Sequence, residues 1–270
     1  MRFSRLLLSI FAAVGSVAPA WAQETDPPQP ITVSGSATVT SDYRFRGVSQ
    51  SDKEVAVQGG ITIAHESGFY VATWGSNLAG WGTFGGANLE LDLVAGFKGE
   101  AGNAAYDVGV TWYTYPGGAD ESDVVELYGK LSGTAGPANL TAGVFYAPKQ
   151  TSLGNFLVHP DGDRGDNLYL SGDGTVGIPS TPLTAKAHIG YSNGNKGLGP
   201  NGTSLSPTGE YFDWLLGVDA TWNQLTLGVA YIDTNISRRE SAYLGSGFGK
   251  TTNGSSIAGS TVVVSLTAAF

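Results

Sequence analysis

The sequence predicts an all-β chain that folds as a transmembrane, antiparallel, up-and-down β-barrel of about twelve strands. Three observations support this prediction. Apolar and polar residues alternate with a period of two along most of the chain, short and long connections alternate strictly, and the last strand ends on an aromatic residue. The 40 glycines among 270 residues also disfavour a helical protein, because a glycine inside a helix costs about 1 kcal/mol.

The amino terminus has the pattern of a signal peptide over residues 1–22. Two early arginines precede an apolar run from Leu6 to Val17, and Ala20-Trp21-Ala22 supplies a small-x-small cleavage pattern. The alternative, a membrane anchor, is disfavoured because this run is too short to span ~30 Å of hydrocarbon as a helix. Residues 23–30 are polar and proline-rich and predict a short periplasmic lead-in. The barrel is expected to occupy residues 31–270.

Segments of about ten residues with one apolar and one polar face predict the strands, since successive side chains of a strand point to opposite faces. In one of them, Leu89 and Leu91 alternate with Glu90 and Asp92. Twelve such segments are found, at residues 31–43, 54–66, 69–78, 87–99, 104–116, 123–135, 138–148, 166–178, 183–193, 211–223, 225–235 and 260–270.

The connections between these segments alternate in length, as in a barrel whose two rims face different compartments. Short turns fall at residues 66–68, 99–103, 133–137, 179–182 and 223–224, and every other connection is longer. A secreted β-sandwich would also alternate, but it needs neither this order of loops nor a terminal aromatic strand. A barrel also pairs every backbone group inside hydrocarbon, where an unsatisfied group costs several kcal/mol.

The final strand ends at Phe270, an ending typical of the signal by which the barrel-assembly machinery recognises outer-membrane proteins. Other aromatic residues crowd the strand ends, where they predict girdles at the two membrane interfaces. These features predict the outer membrane of a Gram-negative-type bacterium as the location. Membrane lipids and lipopolysaccharide are then the expected surroundings.

Four short motifs in the first third of the chain carry a family resemblance. They are TSDYRFRGVSQSD at residues 40–52, VQGG at 57–60, HESGFY at 65–70 and W-x-S-N at 74–77. Together they resemble the opening of the TorF family of porins, and a weaker likeness continues to the terminal phenylalanine. The resemblance implies an outer-membrane barrel with a channel function, and it implies little about the solute.

Composition excludes several other classes of protein. The chain has no cysteine, so a disulfide scaffold and a cysteine-ligated metal site are ruled out. A formal net charge of -9 argues against a nucleic-acid partner, which requires a basic face. No phosphate-binding glycine loop or zinc spacing is present, so neither a cofactor nor a metal is expected.

The expected function is passive diffusion of small solutes or ions through a pore. If the apolar faces contact lipid, the polar faces line the bore, and an excess of acidic groups there favours cations weakly. The alternative is that these groups pair with one another and fill a narrow bore. A non-transporting barrel with a structural or surface-interaction role is the second candidate function. The predicted lining residues are Glu90, Asp92, Asp107, Glu126, Lys130, Lys186, His188, Asp213 and Asp219.

Arg44 and Arg46 in the first long loop are candidates for a constriction. Folded inward, their guanidinium groups would face the acidic wall. The other interpretation, which we favour from sequence alone, is that they brace the loop or contact lipopolysaccharide phosphates at the outer rim.

Two weaker motifs are considered. His65 and Ser67 could form part of a lipid-hydrolase site, but no third orienting residue is evident and Ser67 lies in a short turn on the periplasmic rim. We therefore do not expect an enzyme. The carboxylates of residues 161–166 miss the helix-loop-helix calcium spacing, and Arg164 lies among them, so this segment is expected to be a solvated loop.

Overall fold

The structure, a computed structural model, describes residues 30–270. The predicted signal peptide, and all but the last residue of the predicted lead-in, lie outside the described residues. Twelve long strands follow in order: β1 Ile31–Thr40, β2 Ala56–His65, β3 Phe69–Asn77, β4 Leu89–Ala101, β5 Ala104–Thr114, β6 Val124–Ala135, β7 Ala138–Gln150, β8 Gly165–Gly177, β9 Leu183–Lys196, β10 Thr208–Trp222, β11 Leu225–Thr234 and β12 Thr261–Ala269.

These strands form one closed antiparallel barrel in which each strand pairs with its neighbours along the chain. The barrel closes where β1 pairs with β12, in register from Ser36 opposite Ala269 to Thr40 opposite Ser265. The predicted all-β, up-and-down barrel is therefore confirmed, and each strand boundary lies within three residues of its predicted position. Because the sheet has no open edge, the two-sheet sandwich is excluded.

The apolar face of the strands is on the outside of the barrel. Leu89, Leu93, Phe212 and Leu216 are all exposed, whereas the polar residues between them are buried. An outer surface of this kind is what a lipid-facing barrel requires. Within residues 30–270, no helix is both long enough and apolar enough to cross a membrane.

Placing a charge on this outer face is expected to destabilise the barrel. Leu216 lies near the middle of β10 and is 61% exposed. Leu216→Arg should lower the free energy of unfolding in lipid bilayers by about 2–4 kcal/mol, because an arginine there would face the hydrocarbon midplane. Urea titration in lipid vesicles measures the change. The control is Leu225→Arg at the first position of β11, close to the interface, where the cost should be about 0–1 kcal/mol. Equal costs at both positions would contradict the lipid-facing assignment.

The long connections carry additional structure that the strand pattern does not reveal. In the first long loop, residues 44–45 and 48–49 pair as a small hairpin, which we call the loop-1 hairpin. In the last loop, a short helix α1, Arg238–Tyr243, begins with a capping box in which Ser237 and Glu240 exchange hydrogen bonds. All of the long loops lie on the rim opposite the start of β1 and the end of β12.

Candidate functional site

The interior wall of the barrel is polar, because the strands that present apolar residues to lipid present the alternate residues inward. The carboxylates at this wall are largely hidden from solvent, while Lys130 and His188 are half-buried. The pairing register places all nine predicted lining residues on this wall: Glu90, Asp92, Asp107, Glu126, Lys130, Lys186, His188, Asp213 and Asp219.

Several of these charged side chains pair with each other across the wall. Lys186 Nζ donates to Asp219 Oδ1 at 2.6 Å, and both side chains are buried. His188 lies between two carboxylates, with Nδ1 2.7 Å from Asp173 Oδ1 and Nε2 3.1 Å from Asp213 Oδ1. This part of the bore therefore has the internal pairing that the sequence left open as an alternative.

A band of aromatic side chains crosses the wall at mid-height. Tyr128 on β6, Phe145 on β7 and Tyr169 on β8 occupy successive positions of the same register. Tyr128 lies over Gly109, where an added Cβ would be 2.6 Å from the phenol oxygen. Glycine is thus needed at Gly109 to let the ring lie flat against the wall. The phenol of Tyr169 donates to Asp213, which joins this band to the paired charges.

Two cations and one carboxylate face the bore in addition to the nine predicted lining residues. Lys98 lies directly opposite Asp107 in the register, with its ammonium 4.8 Å from the centre of the Tyr70 ring. Arg46 and Asp173 are the other two. Lys98 and Asp173 could have been found from the sequence. Lys98 shares the parity of Glu90 and Asp92 on its own strand, and Asp173 has the parity opposite to that of the outward-facing Leu168 and Leu170 on its strand.

Arg46 reaches from the loop-1 hairpin into the bore. Its Nη2 donates to Glu126 Oε1 at 2.7 Å and its Nη1 donates to Asn167 Oδ1 at 3.0 Å, while the guanidinium lies 4.0 Å from the centre of the Tyr169 ring. Burial lowers the pKa of Arg46, but the Glu126 carboxylate together with the phenols of Tyr113 and Tyr169 more than reverses this, so the net shift is upward and the side chain stays charged. Arg46 therefore occupies the inward position considered for it, and its buried side chain is not available to lipopolysaccharide at the rim.

Arg44, in contrast, braces the loop. Its Nε donates to Asp42 Oδ2 at 2.7 Å, and its Nη1 donates to the carbonyls of Gly47 and Gly259. It therefore ties the first loop to the last one, and within residues 30–270 it forms no ion pair with the acidic residues of the wall. The bracing role considered for Arg44 fits this geometry, and the constriction role does not.

The six long loops pack together over the end of the barrel and bury a continuous apolar cluster, which we call the outer cap. Each loop contributes at least one buried apolar side chain to it. Backbone hydrogen bonds link the loops as well; Ser49 N–H donates to Ile257 O, and Gly85 N–H donates to Asn201 O. The cap includes Tyr43, Leu78, Trp81, Phe84, Tyr115, Leu153, Leu205, Ile236, Phe248 and Ile257.

Tyr43 joins the outer cap to the wall of the barrel, because its phenol donates to Glu90 Oε1 at 3.0 Å. Burial, together with the neighbouring carboxylates of Glu90 and Asp92, raises the pKa of Tyr43 well above its ordinary value. The phenol therefore stays protonated and remains a donor.

The two weaker motifs do not assemble into sites. His65 Nδ1 lies 2.8 Å from Ser67 Oγ in an exposed turn, but no hydrogen bond joins His65 to a carboxylate within residues 30–270. In the segment 161–166, Asp163 accepts from the Asn155 N–H and Asp166 accepts from Tyr146. No group of three or more histidine, aspartate or glutamate side chains is arranged to hold a metal in the described part of the chain.

The closed barrel, its apolar outer band and its polar interior together define an outer-membrane β-barrel, and the chain is a protein of the outer membrane. Two solved porins share the fold. NanC porin superposes with a TM-score of 0.54 at 10% identity, and KdgM porin with a TM-score of 0.52 at 8% identity. Each comparison covers 88% of this chain and 99% of the porin.

A family model also matches most of the chain. The model, described as a bacterial protein of unknown function (Gcw_chp), matches residues 24–270, and the chain belongs to this family. No curated protein sequence matches the chain. The matched family does not bear the name of the TorF porins, so that narrower resemblance has no support from the match.

Proposed function

We propose that the protein is a porin-like channel for passive diffusion of small solutes or ions. The observation that carries the proposal is the closed barrel with a polar interior wall, in a fold shared with two porins. The predicted lining residues are proposed to border the path. Arg46, held across the bore by Glu126 and Asn167, is proposed to form its constriction.

Planar-bilayer recording tests the proposal directly. Purified full-length protein, inserted in a bilayer, is expected to give discrete conductance steps. The conductance steps are expected to be small, because the outer cap and Arg46 narrow the bore. A barrel that inserts correctly, judged by resistance of its strands to protease, and yet stays silent would refute the channel.

The path is expected to prefer cations weakly. The predicted lining residues include more carboxylates than cations. Lys98 and Arg46 add two positive charges to the bore and Asp173 adds one negative charge, so the acidic excess is reduced. In a tenfold potassium chloride gradient, the reversal potential should give a cation-to-anion permeability ratio of about 2–4, because mobile ions screen fixed charges over about 8 Å at physiological salt. A ratio below one would contradict the preference.

The second candidate is a non-transporting barrel that acts through its surface. The outer cap favours it, because all six long loops pack into one body that closes over the end of the barrel. The same recording separates the two candidates, since this alternative predicts a silent barrel.

The remaining assignments are proposals of the same kind. The chain is proposed to be exported by the signal peptide, to be inserted by the barrel-assembly machinery through the strand that ends at Phe270, and to contact lipopolysaccharide. The motif likeness to the TorF porins supports the channel function. An enzymatic role is not proposed, because the His65 and Ser67 pair lacks an orienting carboxylate among the described residues.

A further inference from the structure

The loop-1 hairpin reaches across the full width of the bore. Phe45 packs edge-to-face against Tyr113 of β5, with the ring centres 5.7 Å apart. Two residues further on, Gly47 lies so close to β11 that an added Cβ would be 2.5 Å from Thr234 Cγ2. In a closed barrel of twelve strands, β5 and β11 are six strands apart and therefore lie on opposite sides. The hairpin thus contacts opposite walls of the bore at the same time.

The tip of the hairpin is also fixed to strands between these two walls. Arg46 donates to Glu126 of β6 at 2.7 Å and to Asn167 of β8 at 3.0 Å. An added Cβ at Gly47 would also be 2.9 Å from Asp213 Cβ on β10. The hairpin therefore contacts inward-facing residues of β5, β6, β8, β10 and β11, which surround the bore just inside the rim of the long loops.

Burial along a single strand shows from which side the bore is closed. On the inner face of β8, Asn167 and Tyr169 at the outer end are each 2% exposed. Ser171 is half-buried, and the side chain of Asp173 is 45% exposed. Exposure inside the bore thus rises with distance from the hairpin. The bore is open at the rim of the short turns and closed at the rim of the long loops.

The backbone at the tip of the hairpin is strained. Arg46 has φ of 47°, in the left-handed region that residues other than glycine rarely adopt. Such a conformation persists only where the surrounding contacts compensate for its cost. For Arg46, those contacts are its bonds to Glu126 and Asn167 on the wall. Loss of these bonds therefore favours a relaxed backbone in which the tip leaves the wall.

We propose that the loop-1 hairpin is a movable gate at the outer mouth of the barrel. Seated as in this structure, it closes the bore, and withdrawal of its tip from β6 and β8 toward the long loops opens it. Part of the outer cap moves with the hairpin, because Val48 packs within the apolar cluster of the cap. This inference rests on the proposed channel function and deepens it, since the constriction becomes a part that switches between a closed and an open position.

Tethering the hairpin to the wall tests the gate. The chain contains no cysteine, so Phe45→Cys with Tyr113→Cys places the only two thiols on the hairpin and on β5. A short bifunctional thiosulfonate reagent joins the two thiols through disulfides, and dithiothreitol releases them. In planar bilayers, the tethered barrel should be open for about tenfold less time than the same protein after reduction, because the tether disfavours the open state. Equal open times before and after reduction would overturn the gate.

Two further cysteine pairs show whether the effect belongs to the hairpin. Arg46→Cys with Asn167→Cys tethers the hairpin to β8, should the first pair misfold, and the same loss of open time is expected. Thr221→Cys with Thr226→Cys joins β10 to β11 near their short turn, where the hydroxyl oxygens are 3.1 Å apart, and should leave the open time unchanged.

The outcomes separate the gate from the channel. A conducting barrel that is indifferent to both hairpin tethers refutes the gate alone. An equal loss of open time with the Thr221 and Thr226 pair also refutes the gate, because stiffening of the wall would then explain the effect. A wild-type barrel that inserts and stays silent refutes the channel and the gate together.

Discussion

Replacing Arg46 with alanine is expected to raise the single-channel conductance of the barrel about twofold or more. The guanidinium spans from the loop-1 hairpin to Glu126 on β6 and Asn167 on β8, and it is stacked on the ring of Tyr169. Its removal takes a charged group out of the bore and releases the hairpin from the opposite wall. Because conductance through a narrow pore depends on its narrowest part, widening this point has a large effect. Planar-bilayer recording measures it.

Two matched variants show whether the effect is specific to the bore. Arg164→Ala removes an exposed arginine whose Nη2 donates to the Lys149 carbonyl in an outer loop, so conductance should be unchanged. Arg46→Ala combined with Glu126→Gln also removes the carboxylate that the single variant leaves buried without its partner. The double variant should retain the increase. If conductance stayed at the wild-type level after deletion of the loop-1 hairpin, the constriction would be wrong.

The strands and their faces could be predicted from the sequence because the period-two signal is local. The pattern within each strand is enough to show which of its faces points to lipid. Glu90 and Asp92 could therefore be assigned to the interior from the leucines on either side of them. The same argument extends to Lys98, which shares their parity on β4 and faces the bore in the structure. Register follows from the same constraint, since a shift by one residue would turn every apolar side chain of a strand away from lipid.

The position of Arg46 could not be predicted in this way, because it depends on contacts far apart in the chain. Its partners Glu126 and Asn167 are 80 and 121 residues away. The backbone at Arg46 also has a left-handed conformation, with φ of 47°, which turns the hairpin tip toward the wall. Arginine is not a residue that signals such a turn. The outer cap could not be predicted from the sequence for the same reason, since its apolar cluster forms only when six separate loops pack together.

The largest loss of stability is expected where the wall depends on a buried ion pair. Lys186 crosses the inner face of β10 over Gly217, where an added Cβ would be 2.9 Å from Lys186 Cε, and donates to Asp219. Lys186→Met should lower the free energy of unfolding by about 3–5 kcal/mol, because it leaves Asp219 as an uncompensated buried charge. The second oxygen of Asp219 already lacks a hydrogen bond within the described part of the chain, so no alternative donor is at hand. Equilibrium urea unfolding in lipid vesicles measures the loss.

A double substitution distinguishes two contributions to the lost free energy of unfolding: the cost of leaving the Asp219 charge unpaired, and the loss of the ion pair itself. Lys186→Met combined with Asp219→Asn should recover most of the lost stability, because the remaining amide carries no charge and needs less solvation. Lys250→Met breaks the pair with Glu54 in the outer loops and should change stability little, since the Glu54 side chain is exposed and water screens such pairs. A double variant as unstable as Lys186→Met alone would show that the side chain of Lys186 stabilises the wall by packing, independently of its charge. In that case the ion pair would not be what holds β9 and β10 together at this level of the bore.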